Sequence, residues 1–463
     1  PVDELLGGFE HALSCYFRAL ELTAQSVGTE HVRYATRLLN IAAVLRKTGK
    51  NDEALRLTLR GLAIYEKQYG KNHPFYIAGL HGVILSHMSL FHYEEALALS
   101  DSLLVLSEKN DYRYKPQNYD FAQSISTLYY RTGQYDRCLK LSVENLEKCT
   151  QLFPNFYARN GGLACLSMLA LEKMGRTGEA AKYALTSYQF AIADLRKTFR
   201  QFSEQEQLKL YATSRQWTHN TFLLFALRHP EFPELTAASY EYQMTVKGLS
   251  LFNHQQLLAS LQEMPSAGLE QQFNEWSGLS DEISRLHAMS PAKRTTALDS
   301  LCMRANELER NLALGSNAFH MANQTTHWEE VQSALLPGEA AIEFSCVHTL
   351  NSNLQSGTDS ILYEALLIKS GDTRPRRIRL FEENALNKLH ATKHLYDPAE
   401  WTDKGNLGAL IWQPLSGLLS GINTIYYAPA GLLYQVNLDA VPVSDVEIMA
   451  DRFRMHRLVS TRQ

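Results

Sequence analysis

The sequence predicts an α-helical solenoid over residues 1–195, a helical linker region over residues 196–335 and the N-terminal part of an α/β domain over residues 336–463. The first part carries a repeat of about 42 residues. The second part keeps helical spacing of its apolar residues without that repeat. The third part alternates strand-like and helix-like segments, which is typical of an α/β sheet.

Glycines and small residues mark the repeat. Gly49, Gly133 and Gly175 share one register, in which Phe91 takes the place of a glycine. Five residues after each of these positions comes a small side chain, and the four are Ala54, Ala96, Cys138 and Ala180. A fixed period of this length indicates stacked copies of one supersecondary unit.

Each unit reads as a helix, a tight turn, a second helix and a longer connector. Residues 31–48 and 52–68 have apolar side chains at helical spacing, and Gly49 lies in the turn between them. We expect a small residue at Ala54 and its equivalents because two antiparallel helices cross closely there. No unit buries its apolar faces alone, so the units should stack and present a concave surface that binds a peptide or a protein partner.

Three turn segments carry a resemblance to a known family. Residues 49–55 (GKNDEAL), 91–97 (FHYEEAL) and 133–139 (GQYDRCL) resemble the tetratricopeptide repeat. The lead-ins Gly28-x-x-His31 and Gly70-x-x-His73 are similar to those of the long form found in kinesin light chains. The resemblance implies a scaffold for protein interaction.

Composition limits the function classes. The chain has 463 residues, 45% of them hydrophobic and 20% charged, and its net charge of −4 argues against broad nucleic-acid binding. It has no run of 18 apolar residues, so we expect no membrane span. Its six cysteines show no metal or disulfide spacing. We predict a cytoplasmic protein with no metal and no cofactor; because the chain begins at Pro1, a removed signal peptide and a periplasmic location stay open.

The middle and last parts are predicted from caps and apolar runs. Capping boxes at Ser203-x-x-Glu206 and Thr326-x-x-Glu329 open helices, and a long helix spans roughly residues 235–261. The strands that we expect lie at 340–347, 361–369, 376–381, 423–427, 432–438 and 453–459, with helices at 383–396 and 405–419. A complete α/β domain needs more elements, so we expect it to continue past Gln463.

Three segments of this last part resemble the CHAT domain, the caspase-like domain that accompanies tetratricopeptide repeats in bacteria. They are residues 336–344 (LPGEAAIEF), 427–440 (YAPAGLLYQVNLDA) and 456–462 (HRLVSTR). The second departs from the family, with Val436-Asn437 where a Pro-Phe pair is usual. The resemblance implies an incomplete α/β caspase-like domain and a cysteine peptidase with a His–Cys dyad. Neither segment of that dyad occurs in this chain, so we assign no catalytic residue and expect both after Gln463.

The two resemblances together imply a regulated cysteine peptidase whose repeats bind a partner or activator. Related bacterial peptidases are linked to defence, which includes RNA-guided CRISPR effectors and gasdermin activation. The partners implied are a protein or peptide on the repeats, a protein substrate, the missing C-terminal half of the domain and an RNA-guided effector complex. The alternative is a non-enzymatic adaptor in which the α/β part is degenerate and the repeats do the binding.

Two further groups of residues have competing interpretations. Cys346 and His348 share one face of the first strand, where the family has no dyad, so we expect a buried cysteine and a strand-end histidine. Four arginines surround the third strand, namely Arg374, Arg376, Arg377 and Arg379. They fit either an edge strand guarded by charge or a contact for an acidic partner or nucleic acid.

Overall fold

A computed structural model describes residues 8–109, 116–199, 206, 216–263, 267–288, 298–315, 326–350, 356–392, 406–443 and 447–463. The chain forms two compact units, one built mainly on residues up to Phe190 and the other mainly on residues from Ala191 onward. Ser203 of the capping box expected at Ser203-x-x-Glu206 lies outside the described residues. In the described part, no helix is long and apolar enough to cross a bilayer.

The first unit is a solenoid of antiparallel helix pairs. Its helices are α1 (Phe9–Val27), α2 (Val32–Lys47), α3 (Asn51–Tyr69), α4 (Pro74–Ser89), α5 (Tyr93–Lys109), α6 (Pro116–Arg131), α7 (Tyr135–Leu152), α8 (Tyr157–Lys173) and α9 (Thr177–Phe199). We call α2, α4, α6 and α8 the leading helices of the repeats, and the helix after each of them its trailing helix.

Every leading helix ends in the same hydrogen-bonded turn. At the end of α2, the Lys50 N–H donates to the Leu45 carbonyl at 2.9 Å and the Gly49 N–H donates to the Arg46 carbonyl at 3.3 Å. This pair of bonds defines the Schellman motif, which needs a left-handed residue just after the helix. Gly49 supplies it with a φ of +78°, and Gly133 and Gly175 have φ values of +76° and +74°. Phe91, at +61°, is the only residue of the described part other than glycine with a positive φ.

The small side chains of the repeat are fully buried, and at Cys138 the neighbour is the leading helix of the next repeat, not the helix of the same pair that we expected. Ala54, Ala96, Cys138 and Ala180 all have 0% exposure. The Cys138 thiol on α7 lies 3.9 Å from the Leu166 carbonyl on α8, so its neighbour is helix backbone. A larger side chain at this position would push the two helices apart.

The two Gly-x-x-His lead-ins end one helix and begin the next. Gly28 and Gly70 have φ values of +85° and +74° just after α1 and α3. His31 Nδ1 then accepts a hydrogen bond from the Arg33 N–H at 3.1 Å, and His73 Nδ1 accepts one from the Phe75 N–H at 3.2 Å. The histidines therefore cap α2 and α4, as Ser or Asp commonly does.

The second unit combines helices with one mixed sheet. Its helices are α10 (Gln216–Arg228), α11 (Pro233–Glu263), α12 (Ala267–Ala288), α13 (Leu298–Gly315), α14 (Trp328–Ala334), α15 (Glu383–Thr392), α16 (Asn406–Ile411) and α17 (Met449–Arg452). Its strands are β1 (Glu339–Leu350), β2 (Ser356–Lys369), β3 (Arg376–Glu382), β4 (Thr424–Ala428) and β5 (Arg454–Arg457).

The sheet has the strand order β3-β2-β1-β4-β5. β1 pairs antiparallel with β2, and β2 pairs antiparallel with β3. On its other side β1 pairs parallel with β4, which pairs parallel with β5. The central strand β1 thus separates an antiparallel half from a parallel half.

The two faces of the sheet are covered differently. One face lies in an apolar core with α15, α16 and the turns after β4, and it includes Ile342, Phe344, Tyr363, Leu367, Ile425 and Tyr427. The other face packs against α11 and α14, where Tyr240, Met244 and Val331 contact Ala341, Leu366 and Ile368. The helical region and the sheet therefore share one compact unit. The predicted domain boundary between residues 335 and 336 stays a prediction.

Three local expectations are wrong. Residues 431–435 and 438–440 form 3₁₀-helices instead of a strand over 432–438, because Leu433 and Val436 donate backbone hydrogen bonds three residues back. The helix expected over 405–419 ends at Ile411, since Pro414 lacks the N–H that an α-helix requires. The observed capping pair before α14 is His327 and Glu330, one residue later than expected.

Candidate functional site

Polar contacts join the leading helices of successive repeats. Arg46 on α2 donates to Ser86 on α4 at 3.3 Å. His81 on α4 lies 3.0 Å from the Ser124 hydroxyl on α6. On α6, Asp120 accepts two hydrogen bonds, at 2.6 and 3.0 Å, from the guanidinium of Arg159, a residue of α8. We call the strip that carries these three contacts the leading-helix face.

Burial shapes the charges on this face. It lowers the pKa of Arg46 to about 10 and that of His81 to about 3, with the Arg46 charge adding to the effect on His81. His81 is therefore neutral at pH 7 while Arg46 stays charged. The hydrogen bonds from Arg159 to Asp120 raise the pKa of Arg159. The face combines a fixed cation, a neutral imidazole and a bidentate ion pair.

Three equivalent residues lie along the same face, one turn from these contacts. Ala43 precedes Arg46 by three residues, Leu85 follows His81 by four, and Thr127 occupies the matching position of α6. Residues three and four apart on a helix share a face. All three are half-buried, so they present an accessible line that an extended peptide segment could contact.

The pair on the first strand has no nucleophilic character. Burial raises the pKa of the Cys346 thiol and lowers the pKa of the His348 imidazole, so both groups are neutral at pH 7. A nucleophilic cysteine needs the opposite shift toward the thiolate.

The hydroxyl of Tyr363 donates to Glu383 at 2.7 Å and accepts the Leu432 N–H at 2.9 Å.

The four arginines around β3 do not form one surface. β3 is an outer strand of the sheet, and Arg374 is exposed. Arg376 pairs with Asp372 at 3.1 Å, and Arg379 lies 3.7 Å from Glu382. Both pairs are largely exposed on their arginine side.

Arg377 differs from its neighbours because it points into the unit. Its side chain is 4% exposed and lies 3.3 Å from the fully buried Glu364, and it also bonds the Ser239 hydroxyl on α11. It is not accessible to an outside partner, so the predicted contact for an acidic partner or nucleic acid is reduced to Arg374, Arg376 and Arg379, for which it stays a prediction.

Sequence reasoning missed a second buried ion pair on the same face of the sheet. Lys247 of α11 lies 2.8 Å from Glu343 of β1, and their side chains are 8% and 0% exposed. The available signal was an acidic residue inside the apolar run that forms β1, between Ile342 and Phe344. Buried charges are rare unless paired, so a buried glutamate at this position predicts a basic partner.

One group in the described part of the chain places three metal-ligand atoms close together. It consists of Glu241, His327 and Glu329, whose ligand atoms lie within 4.8 Å of one another. His327 Nδ1 lies 2.9 Å from Glu241 Oε1, so these two already satisfy each other. The group is mostly exposed, and such groups are common without an ion.

Comparisons with known proteins bear on the first unit. Residues 2–67 match the tetratricopeptide repeat family. No curated protein matches the chain. A crystal structure of a Podosopora anserina kinesin light chain with nearly identical tetratricopeptide-like repeats is 16% identical, with 40% of this chain and 87% of that chain covered and a TM-score of 0.34. A glutamine-to-methionine variant of that protein is 17% identical, with 41% and 90% covered and a TM-score of 0.36.

Proposed function

We propose that this chain is a protein-interaction scaffold whose repeats bind an extended segment of a partner on the leading-helix face. The carrying observation is the match of residues 2–67 to the tetratricopeptide repeat family, together with the identical turns that extend the same unit to residue 175. Stacked repeats of this kind expose a continuous face that single domains lack. Fixed polar groups such as Arg46 and the Asp120–Arg159 pair give this face chemical specificity.

Site-specific photocrosslinking tests this proposal. A photoreactive phenylalanine analogue replaces Ala43, Leu85 or Thr127 on the leading-helix face, and Leu59 or Val105 on trailing helices as matched controls. Leu59 and Val105 are 46% and 50% exposed, so they are at least as accessible to a passing protein. We expect one discrete crosslinked partner from the first set and none from the second. Equal crosslinking from both sets would refute the assignment of the face.

A second candidate is a regulated cysteine peptidase of the CHAT type, of which this chain would supply the repeats and the first part of the catalytic domain. The parallel arrangement of β1, β4 and β5 supports it, because the sheet of the caspase-like domain that this chain resembles is mostly parallel. In the described residues, β5 pairs on one side with β4, so its other edge is free to accept a strand. The repeats would then bind an activator such as an RNA-guided effector complex, and the domain would cleave a protein substrate.

The sequence encoded after Gln463 distinguishes the peptidase from the adaptor. The peptidase requires a strand that ends in His-Gly and a later strand that ends in Cys. We expect iodoacetamide to label that cysteine in the intact protein, with the labelling rate falling when the histidine is replaced by Ala. Absence of either residue, or a labelling rate that ignores the histidine, would leave the non-enzymatic adaptor.

A further inference from the structure

The Glu343 carboxylate is the centre of a polar cluster in the second unit. It is fully buried, and its Oε2 accepts from Lys247 Nζ at 2.8 Å. Its Oε1 accepts from the Thr461 N–H at 2.6 Å, from the Thr461 hydroxyl at 2.9 Å and from the Ser460 hydroxyl at 3.1 Å. A buried carboxylate is tolerated only when its oxygens are satisfied in this way. We call these four residues the Glu343 cluster.

Lys247 has no hydrogen left for any other partner. Besides Glu343, its ammonium donates to the Phe344 carbonyl at 2.6 Å and to the Ala428 carbonyl at 3.0 Å. An ammonium has three N–H groups, and all three have acceptors. The side chain therefore joins α11 to both β1 and β4.

This junction lies at a special place in the sheet. Ala428 is the last residue of β4, and β1 is the strand on whose two sides the chain places β2 and β4. In open α/β sheets, the carboxyl ends of the strands at such a switch point are where ligand and active sites form. In this protein, Lys247 of α11 lies at the carboxyl end of β4 and beside the middle of β1.

The segment that follows β5 is held in the same place. We call residues 458–463 the post-β5 segment. The Leu458 N–H donates to the Tyr427 carbonyl at 2.8 Å, which continues the β4–β5 pairing. The Tyr240 hydroxyl of α11 lies 2.9 Å from the Thr461 hydroxyl, which itself donates to Glu343. Both helix and segment thus depend on one carboxylate.

We propose that the Glu343 cluster is a latch that couples the position of α11 to the conformation of the post-β5 segment. If α11 moves by one turn, Lys247 leaves Glu343, and a buried carboxylate without its cation is strongly unfavourable. The carboxylate would then need to be hydrated, and water can reach Glu343 only if the post-β5 segment that covers it opens. A partner that displaces α11 would therefore open the sheet at the carboxyl end of β4. The latch does not depend on either proposed function.

Hydrogen exchange measured by mass spectrometry tests the latch in the intact chain. Lys247→Met keeps most of the aliphatic stem and removes the ammonium. We expect exchange in residues 458–463 to accelerate about tenfold or more. Arg377→Met is the matched control, because Arg377 also belongs to a buried ion pair, with Glu364 of β2, and also donates to Ser239 of α11, but neither partner lies in the segment. We expect it to change exchange in the segment less than twofold.

Coupling must also be seen in the opposite direction. Thr461→Val removes one donor to Glu343 and the hydroxyl that Tyr240 contacts, without changing a residue of α11, and we expect faster exchange in α11 around residues 240–248. Tyr240→Phe should accelerate exchange in the segment. These mild variants keep the test decisive if Lys247→Met does not fold. The latch is overturned if Lys247→Met and Arg377→Met loosen the segment equally, or if Thr461→Val leaves α11 unchanged.

Discussion

Phe91 occupies a backbone position that its own repeat assigns to glycine, and replacing it tests the whole account of the turns. Its φ of +61° lies in the left-handed region, where a Cβ atom costs about 1–2 kcal/mol. The ring offsets little of this cost, because Phe91 is 51% exposed. Its ring makes an edge contact with the Tyr93 ring, and the two ring centroids lie 6.2 Å apart. Phe91→Gly removes the backbone strain and the ring together.

Phe91→Ala is the control that separates the two effects. It removes the ring equally but keeps the Cβ, so the comparison of Gly with Ala isolates the backbone term. Glycine gives back about 0.5–1 kcal/mol through the greater freedom of the unfolded chain. We therefore expect Phe91→Gly to be more stable than Phe91→Ala by about 1 kcal/mol. At an ordinary helical site the order reverses, and Ala78→Gly on α4 should destabilise by about 1 kcal/mol.

The measurement is hydrogen exchange of α4 and α5 in the intact chain, because repeats report on their immediate neighbours. A difference of about 1 kcal/mol corresponds to about a fivefold change in protection. The converse substitutions, Gly49→Ala and Gly133→Ala, should lower stability by about 1 kcal/mol. A methyl group at either position meets no atom within 4 Å, so the whole loss comes from the left-handed backbone. If Phe91→Ala protects α4 and α5 as well as Phe91→Gly does, the turn argument is wrong.

Three other substitutions probe packing and charge. A Cβ on Gly408 would clash with the Pro442 carbonyl, whereas one on Gly417 meets nothing within 4 Å, so thermal unfolding should show Gly408→Ala alone destabilised, by about 1–3 kcal/mol. Because burial lowers the pKa of His81 to about 3 from 6.5, its contribution to stability is complete above pH 6.5 and is lost as the pH falls toward 3. His81→Gln should flatten that part of the pH dependence measured by urea unfolding, and an unchanged slope would contradict the shift. In the same assay Cys138→Leu should cost about 1–3 kcal/mol and Cys138→Ala less, since only the former is too large for a site with 0% exposure.

The repeats could be predicted from sequence because their determinants are local. A left-handed turn residue and a small side chain five positions later form the same sequence pattern in every copy. The pattern is recognisable even where Phe91 replaces glycine, because the other residues of that turn follow the repeat. Strands β1 to β4 were likewise visible as short apolar runs. The apolar run at 432–438 could not be distinguished from a strand, because buried 3₁₀-helices and buried strands use the same residues.

The contacts between elements could not be predicted, because periodicity says which face of an element is buried but not what covers it. The four arginines around β3 illustrate this limit. Successive residues of a strand point to opposite faces, so Arg376 and Arg377 had to separate once β3 was recognised as a strand. That reasoning divides the cluster, but it does not identify Glu364 or Ser239 as the partners of Arg377.

Lys247 and Glu343 show why such pairs matter despite their cost. The apolar contacts of α11 with the sheet, such as Tyr240 and Met244 against Ala341, would tolerate small shifts along the helix axis because dispersion forces have no fixed direction. The ion pair does not tolerate them, since the ammonium meets its three acceptors at only one position. Replacement of a buried pair by apolar residues is often neutral for stability, so stability alone gives no reason to place a lysine there. The pair selects one register of α11 on the sheet, and a contact that selects one register is also one that a partner can break.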